Sequence, residues 1–156
     1  MRKSIIASVL VLGSMLAAPS AMAFDSDWRV KGAAFSVDGD DTAALNAGIV
    51  YGIDFLGMIG AEFEANTSIA DGEFPGGTEY SATQLGGYAT LTTPGPIYFK
   101  AKAGLAYHDV EVGTLSDTDS APAYGIGLGL FGFELEYTRT EFQETDVDML
   151  SLSFGF

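Results

Sequence analysis

The chain has 156 residues, with 21 acidic side chains against seven basic ones, a net charge of −14, and no cysteine. That acidic balance excludes nucleic-acid binding through phosphates, which takes clusters of Lys and Arg. The missing cysteine excludes a disulfide framework and thiolate chemistry. A mean hydropathy of +0.23 with seven Tyr and eleven Phe argues against disorder.

Residues 1–23 read as a secretory signal peptide. Arg2 and Lys3 form the positive start, residues 5–16 an apolar core, and Ala21-Met22-Ala23 a small-x-small cleavage site. The core is 12 residues long, whereas a membrane-spanning helix needs about 20. Cleavage leaves residues 24–156, the length of one domain, with all 21 acids and five bases, a net charge of −16. No apolar run of 18 residues follows, so any membrane crossing falls to strands.

A strand turns successive side chains to opposite faces, and this period runs through the rest of the chain. The first expected strand, 28–37, sets Trp28, Val30, Gly32 and Ala34 against Arg29, Lys31, Ala33 and Phe35. An acidic turn at 38–41 follows. The second, 43–53, sets Leu45, Ala47, Ile49, Tyr51 and Ile53 against Asn46, Gly48, Val50 and Gly52. After a tight connection at 54–57, the third, 58–67, sets Ile59, Ala61, Phe63 and Ala65 against Glu62, Glu64 and Asn66. Residues 68–79, rich in Gly, Pro and acid, predict a loop. The fourth, 80–91, alternates least clearly. A Pro-Gly-Pro turn leads to the fifth, 97–109, with Ile97, Phe99, Ala101, Ala103, Leu105 and Tyr107 opposite Tyr98, Lys100, Lys102, Gly104 and His108. Residues 110–121 predict a second acidic loop. The sixth, 122–131, sets Tyr124, Ile126, Leu128 and Leu130 against Gly125, Gly127 and Gly129. A turn at Gly132 leads to the seventh, 133–142, with Phe133, Leu135 and Tyr137 opposite Glu134, Glu136, Thr138 and Thr140. A loop at 143–146 precedes the eighth, 147–156, in which Leu150, Leu152, Phe154 and Phe156 share one face and Met149, Ser151, Ser153 and Gly155 the other.

Eight strands of about ten residues match the length that a tilted strand needs to cross a bilayer. An even count, with short and longer connections in alternation, predicts an all-β, eight-stranded antiparallel up-and-down transmembrane barrel, whose closure leaves no sheet edge in hydrocarbon. The faces opposite the oily ones then line the lumen. Arg29 and Lys31 on the first strand and Lys100 and Lys102 on the fifth meet Glu62 and Glu64 on the third and Glu134 and Glu136 on the seventh. Buried charge is costly unless paired, and an eight-stranded interior is about filled by side chains. These four cations and four anions therefore predict a compensated cluster that ties the barrel together and plugs it near the end that holds both termini. Gly125, Gly127 and Gly129, with Ser151 and Ser153, leave room for the long charged side chains.

With these features the chain resembles the small eight-stranded outer-membrane barrels of the OmpA/OmpX type, including the opacity-protein-like group. The resemblance rests on the leader, the eight alternating strands, the lumenal Glu and Lys/Arg pairs and the closing SLSFGF. It implies residence in the cell outer membrane, contact with outer-membrane lipid and lipopolysaccharide, and a monomer. It also implies that Leu152, Phe154 and Phe156 act as the signal read by the barrel-assembly machinery. The family's surface-binding members have long extracellular loops, whereas the expected loops here are short. The resemblance implies a structural or surface-interaction role with no cofactor, no metal, no catalytic residue and no open pore.

Three other readings have sequence features to weigh. A lipid-modifying enzyme would use His108, the single histidine, near Asp109, Ser116 and Ser120, but no motif places a nucleophile beside it. A narrow ion channel would run through the lumenal charges. A soluble barrel carrying a small apolar ligand needs an apolar inside and a charged outside. The acidic segments 38–41 and 117–119 lack the full calcium-loop pattern and read as solvated surface, with cation bridges to lipopolysaccharide phosphates as the alternative.

Overall fold

The alternation of faces becomes nine strands in the computed structural model, which describes residues 24–37, 42–55, 57–112, 115–142 and 146–156. They are β1 (Phe24–Val37), β2 (Ala44–Phe55), β3 (Ile59–Ala70), β4 (Gly72–Phe74), β5 (Thr78–Thr92), β6 (Ile97–Val112), β7 (Leu115–Leu130), β8 (Phe133–Glu141) and β9 (Asp146–Gly155). The leader 1–23, the acidic turn 38–41 and residues 143–145 lie outside the described residues.

Each long strand pairs antiparallel with its sequence neighbours, β3 pairs with β5, and β9 pairs with β1, so eight staves close into an up-and-down barrel. Followed partner by partner from Asp27, through Gly52, Glu62, Tyr88, Gly104, Ala123, Thr140 and Val147, the register returns to β1 at Val37, ten residues further on. With strands about 4.8 Å apart and about 3.4 Å of rise per residue, that slip tilts the staves about 40° from the axis. One end holds the start of β1, the end of β9 and the tight turns. The turn between β7 and β8 is two residues, Phe131 and Gly132, both at positive φ (49° and 87°), the backbone that matches the twist of a hairpin. The sixth strand therefore stops at Leu130, one residue short of the expected end.

Strands run into both of the acidic segments expected as loops, 68–79 and 110–121. β3 continues to Ala70, and β4 folds back on the start of β5 across a turn with Gly76 and Gly77 at positive φ. β6 runs to Val112 and β7 begins at Leu115. The reason lies inside the barrel. Phe74, Tyr80, Ala82, Val110 and Val112 pack with Phe35, Ala44 and Val147 into an apolar cluster across the lumen at the end opposite the tight turns. Of the acids in these segments, Glu73, Glu79 and Glu111 lie on the wet outer faces. Segment 117–119 is part of β7 and forms no loop.

Outside, the distribution is reversed from that of a soluble protein. Outward residues such as Val30, Ile49, Phe63, Leu91, Phe99, Leu105, Ile126 and Leu152 remain 36% to 67% exposed. A contiguous apolar band of this extent marks contact with an apolar phase. It contradicts the soluble ligand-carrier reading.

Candidate functional site

The charged side chains sit on alternate staves. β1 brings Arg29 and Lys31, β3 brings Glu62 and Glu64, β6 brings Lys100 and Lys102, and β8 brings Glu134 and Glu136. The staves between them carry small residues opposite the charges. Lys31 faces Gly48, Glu62 faces Gly52, Lys100 faces Gly127, Lys102 faces Gly125, and Glu134 and Glu136 face Ser153 and Ser151. A side chain at Gly127 would meet the Lys100 stem at 3.6 Å, and one at Gly125 would meet the Lys102 stem at 3.1 Å.

All eight charged groups are buried and meet at the lumen centre. Arg29 spans two strands, with Nη2 2.5 Å from Glu62 Oε2 and Nη1 2.8 Å from Glu134 Oε1. Lys31 Nζ lies 2.8 Å from Glu64 and 3.1 Å from Glu136. Lys100 Nζ reaches Glu62 at 2.8 Å, Glu134 at 2.5 Å and Glu136 at 2.6 Å. Lys102 Nζ contacts Glu64, lies 2.6 Å from Glu136 and 3.5 Å from Glu62, and sits 4.1 Å from the centre of the Tyr88 ring. Every charged group thus has at least two partners of opposite sign, and the eight sum to zero. In a medium of low dielectric this arrangement is what keeps buried ions tolerable.

Several members of this network carry no sequence motif. Tyr98 donates its hydroxyl to Glu134 at 2.9 Å, and Asp27 holds Arg29 Nε at 2.8 Å from the turn end. A polar tier continues upward: Gln84 donates to the Tyr88 hydroxyl at 3.2 Å, and Asn66 donates to Gln84 at 3.3 Å. The available signal was inward parity alone, since Tyr88, Gln84, Asn66 and Tyr98 occupy the same faces as the charges. Below the network, at the turn end, lies an open hollow of about 320 Å³ lined by Asp25, Asp27, Asp54, Tyr98 and Thr90, with Arg29, Lys100 and Glu62 at its floor.

His108 is buried in the upper lumen, its ring 5.5 Å from that of Phe35 and 5.2 Å, edge-on, from that of Phe142. Neither ring nitrogen has a hydrogen-bond partner among the described residues. Its cross-strand neighbour Asp119 accepts the backbone N–H of Ser120 at 2.7 Å, and Ser120 itself is exposed. The side chain of Ser116 lies outside the described residues. The fifth basic residue, Arg139, stands on the outer face and pairs with Asp146, with Asp148 3.7 Å away. At the closing strand, Leu152, Phe154 and Phe156 are all outward and exposed, Phe154 stacks with Phe133 at 4.8 Å, and the Phe156 N–H donates to the Trp28 carbonyl at 3.2 Å.

No protein-family model and no curated protein matches the chain. Solved structures do. Ail, the attachment invasion locus protein of Yersinia pestis, superposes with a TM-score of 0.60 at 15% identity over 86% of this chain and 100% of that one. It is also known in complex with the heparin analogue sucrose octasulfate. Neisserial surface protein A gives 0.60 at 12% identity, covering 86% and 98%. The outer membrane protein OprG of Pseudomonas aeruginosa gives 0.54 at 9%, covering 83% and 96%. At these identities the likeness is one of fold.

Proposed function

We propose that this chain, which has the fold of the small eight-stranded outer-membrane barrels, is an integral protein of the cell outer membrane with a structural or surface-interaction role and a closed lumen. The observation that carries the reading is the inverted distribution: an apolar outer band around a lumen crossed by a neutral network of eight charges. The apolar cluster of Phe35, Tyr80 and Val147 adds a second seal above it. Two layers of opposite chemistry favour a plug over an ion path, because a hydrated ion passing one would meet the other.

Export by the leader 1–23, insertion directed by Leu152, Phe154 and Phe156, and a monomeric state complete the reading. No catalytic role is assigned. His108 is seated between aromatic rings, away from any described hydroxyl or carboxylate that would orient it for acid–base work. Among the described residues, the segments beyond the apolar band hold ten acids and one base, Arg139. A polyanion such as the one bound by Ail is therefore a poor fit here, and the surface reading takes cationic partners.

Membrane fractionation with heat-modifiable gel mobility tests the placement, and planar-bilayer recording tests the lumen. The expected results are an outer-membrane band that shifts on boiling and an absence of discrete conductance steps. Recovery as a soluble periplasmic protein would overturn the placement, and stable unitary currents would overturn the plug.

A further inference from the structure

The outer apolar band is not even. β6 turns Ile97, Phe99, Ala101, Ala103 and Leu105 outward, and the two alanines lower the surface between bulky neighbours. At Ala101 this leaves a groove of about 620 Å³ on the outside of the sheet, floored by Ala101 and by the backbone at Gly127. The register gives the groove its course. Leu91, Ala101, Ile126, Tyr137 and Leu150 are successive partners in one row from β5 to β9, and Phe99, Leu128 and Leu135 form the next row toward the turn end. Four spacings of about 4.8 Å make the longer row about 19 Å. Because the staves lean, each step from β5 toward β9 climbs away from the turn end. The groove therefore starts beside Met58 and Thr93, at the tight turns, and rises obliquely into the band.

The groove is continuous with the surface that meets hydrocarbon, and its shape selects what fills it. A second barrel presents a convex wall, which cannot enter a concavity. A flexible chain can. Between apolar groups in hydrocarbon there is no hydrophobic gain, so residence depends on van der Waals contact. A chain lying between Phe99 and Leu128 on one side and Ile126 and Tyr137 on the other touches floor and walls together. We propose that this groove binds one acyl chain of a phospholipid from the leaflet at the turn end, recognised by the shape of the chain and not by the headgroup. No cation faces the groove to hold a phosphate. The Lys100 ammonium is turned into the lumen on Glu62 and Glu134, and Arg139, the one outward base among the described residues, is paired with Asp146. Thr93 at the mouth already accepts the Phe99 N–H at 2.9 Å. The proposal rests on the outer-membrane reading and places a lipid site within it.

The test folds the full mature chain in vesicles of palmitoyl-oleoyl phosphatidylethanolamine and phosphatidylglycerol. The barrel is then moved into mild detergent, and its bound lipids are counted by native mass spectrometry. The expected result is one phospholipid kept per barrel, with the two headgroups in proportion to their supply. Ala101→Trp fills the groove from its floor and cuts the retained fraction about tenfold or more. Ile126→Ala with Leu128→Ala takes away a wall and gives the same direction of change. Ala103→Trp, on the same outward face but outside the lining, leaves retention unchanged. Undiminished retention in the Ala101 variant, or equal loss in the Ala103 variant, would overturn the groove as the site. Retention of one headgroup alone would overturn recognition by the chain, and a parent barrel that keeps no lipid would overturn the site altogether. Heat-modifiable mobility is read on every sample. Its loss in the parent would strike the barrel reading, whereas its presence without bound lipid strikes this proposal alone.

Discussion

Removing two carboxylates from the lumen should unfold the barrel far more readily than removing an ion pair. In Glu62→Ala with Glu64→Ala, Arg29 and Lys100 each lose a partner, Lys31 loses its 2.8 Å contact, and Lys102 loses two contacts. Four cations then share Glu134 and Glu136, leaving two uncompensated positive charges at sites 4% to 8% exposed. Breaking one buried pair from one side costs about 3–5 kcal/mol, so the double variant should lose at least that much. This is a large share of the roughly 5–15 kcal/mol that holds a domain folded. By contrast, Lys102→Met with Glu64→Met deletes one charge of each sign and keeps the lumen neutral. Its cost should stay below about 2 kcal/mol, because no ion is stranded. The assay is the urea midpoint of the folded gel band in lipid vesicles. If the Glu double variant keeps the parental midpoint, the side chains are solvated and the compensated-cluster argument fails. If both variants fall equally, packing and not charge is what the residues supply.

Other expectations follow from single contacts. His108→Phe replaces a ring whose nitrogens have no partner among the described residues, so stability read from the urea midpoint should hold or rise by about 1 kcal/mol; a fall would reveal a further partner. The same variant should leave the lipid A mass spectrum of expressing cells unchanged, and an altered spectrum would revive the enzyme reading. Gly104→Ala should destabilise by about 2 kcal/mol or more, since its methyl group collides with the Gly87 carbonyl, while Gly32→Ala, with open space around it, should stay within about 0.5 kcal/mol when the two midpoints are compared. Phe156→Ala should lower the amount of barrel assembled in cells yet barely move the midpoint in vesicles, because Phe156 is 81% exposed; equal losses in both would make it a packing residue.

Parity carried most of the fold. Each outward Leu, Ile or Phe and each inward Lys or Glu could be assigned by counting twos, because a pleated strand leaves no other choice. Composition misled where parity was right. Phe74, Val110 and Val112 keep inward parity through segments whose Gly, Pro and acid content predicted loops, and the structure follows the spacing. Which Glu meets which Lys was not legible. That depends on the ten-residue slip of the register, a property of the closed ring and not of any one strand. The upper apolar cluster was missed for the same reason: its buried members come from β1, β2, β5 and β9, and β5 is not a neighbour of the other three in the ring.

The alternation of charged and small staves has a consequence for assembly. Arg29 on β1 finds Glu62 on β3 and Glu134 on β8, and Lys100 on β6 finds the same two carboxylates. None of these partners lies on a neighbouring stave, so no single hairpin can neutralise its own ions. A three-stave unit pairs some of its ions, Arg29 with Glu62 across β2 and Lys100 with Glu134 across β7, but the contacts of Arg29 to Glu134 and of Lys100 to Glu62 join the two halves of the ring. The full set of contacts therefore exists only in the closed ring, with β9 paired to β1.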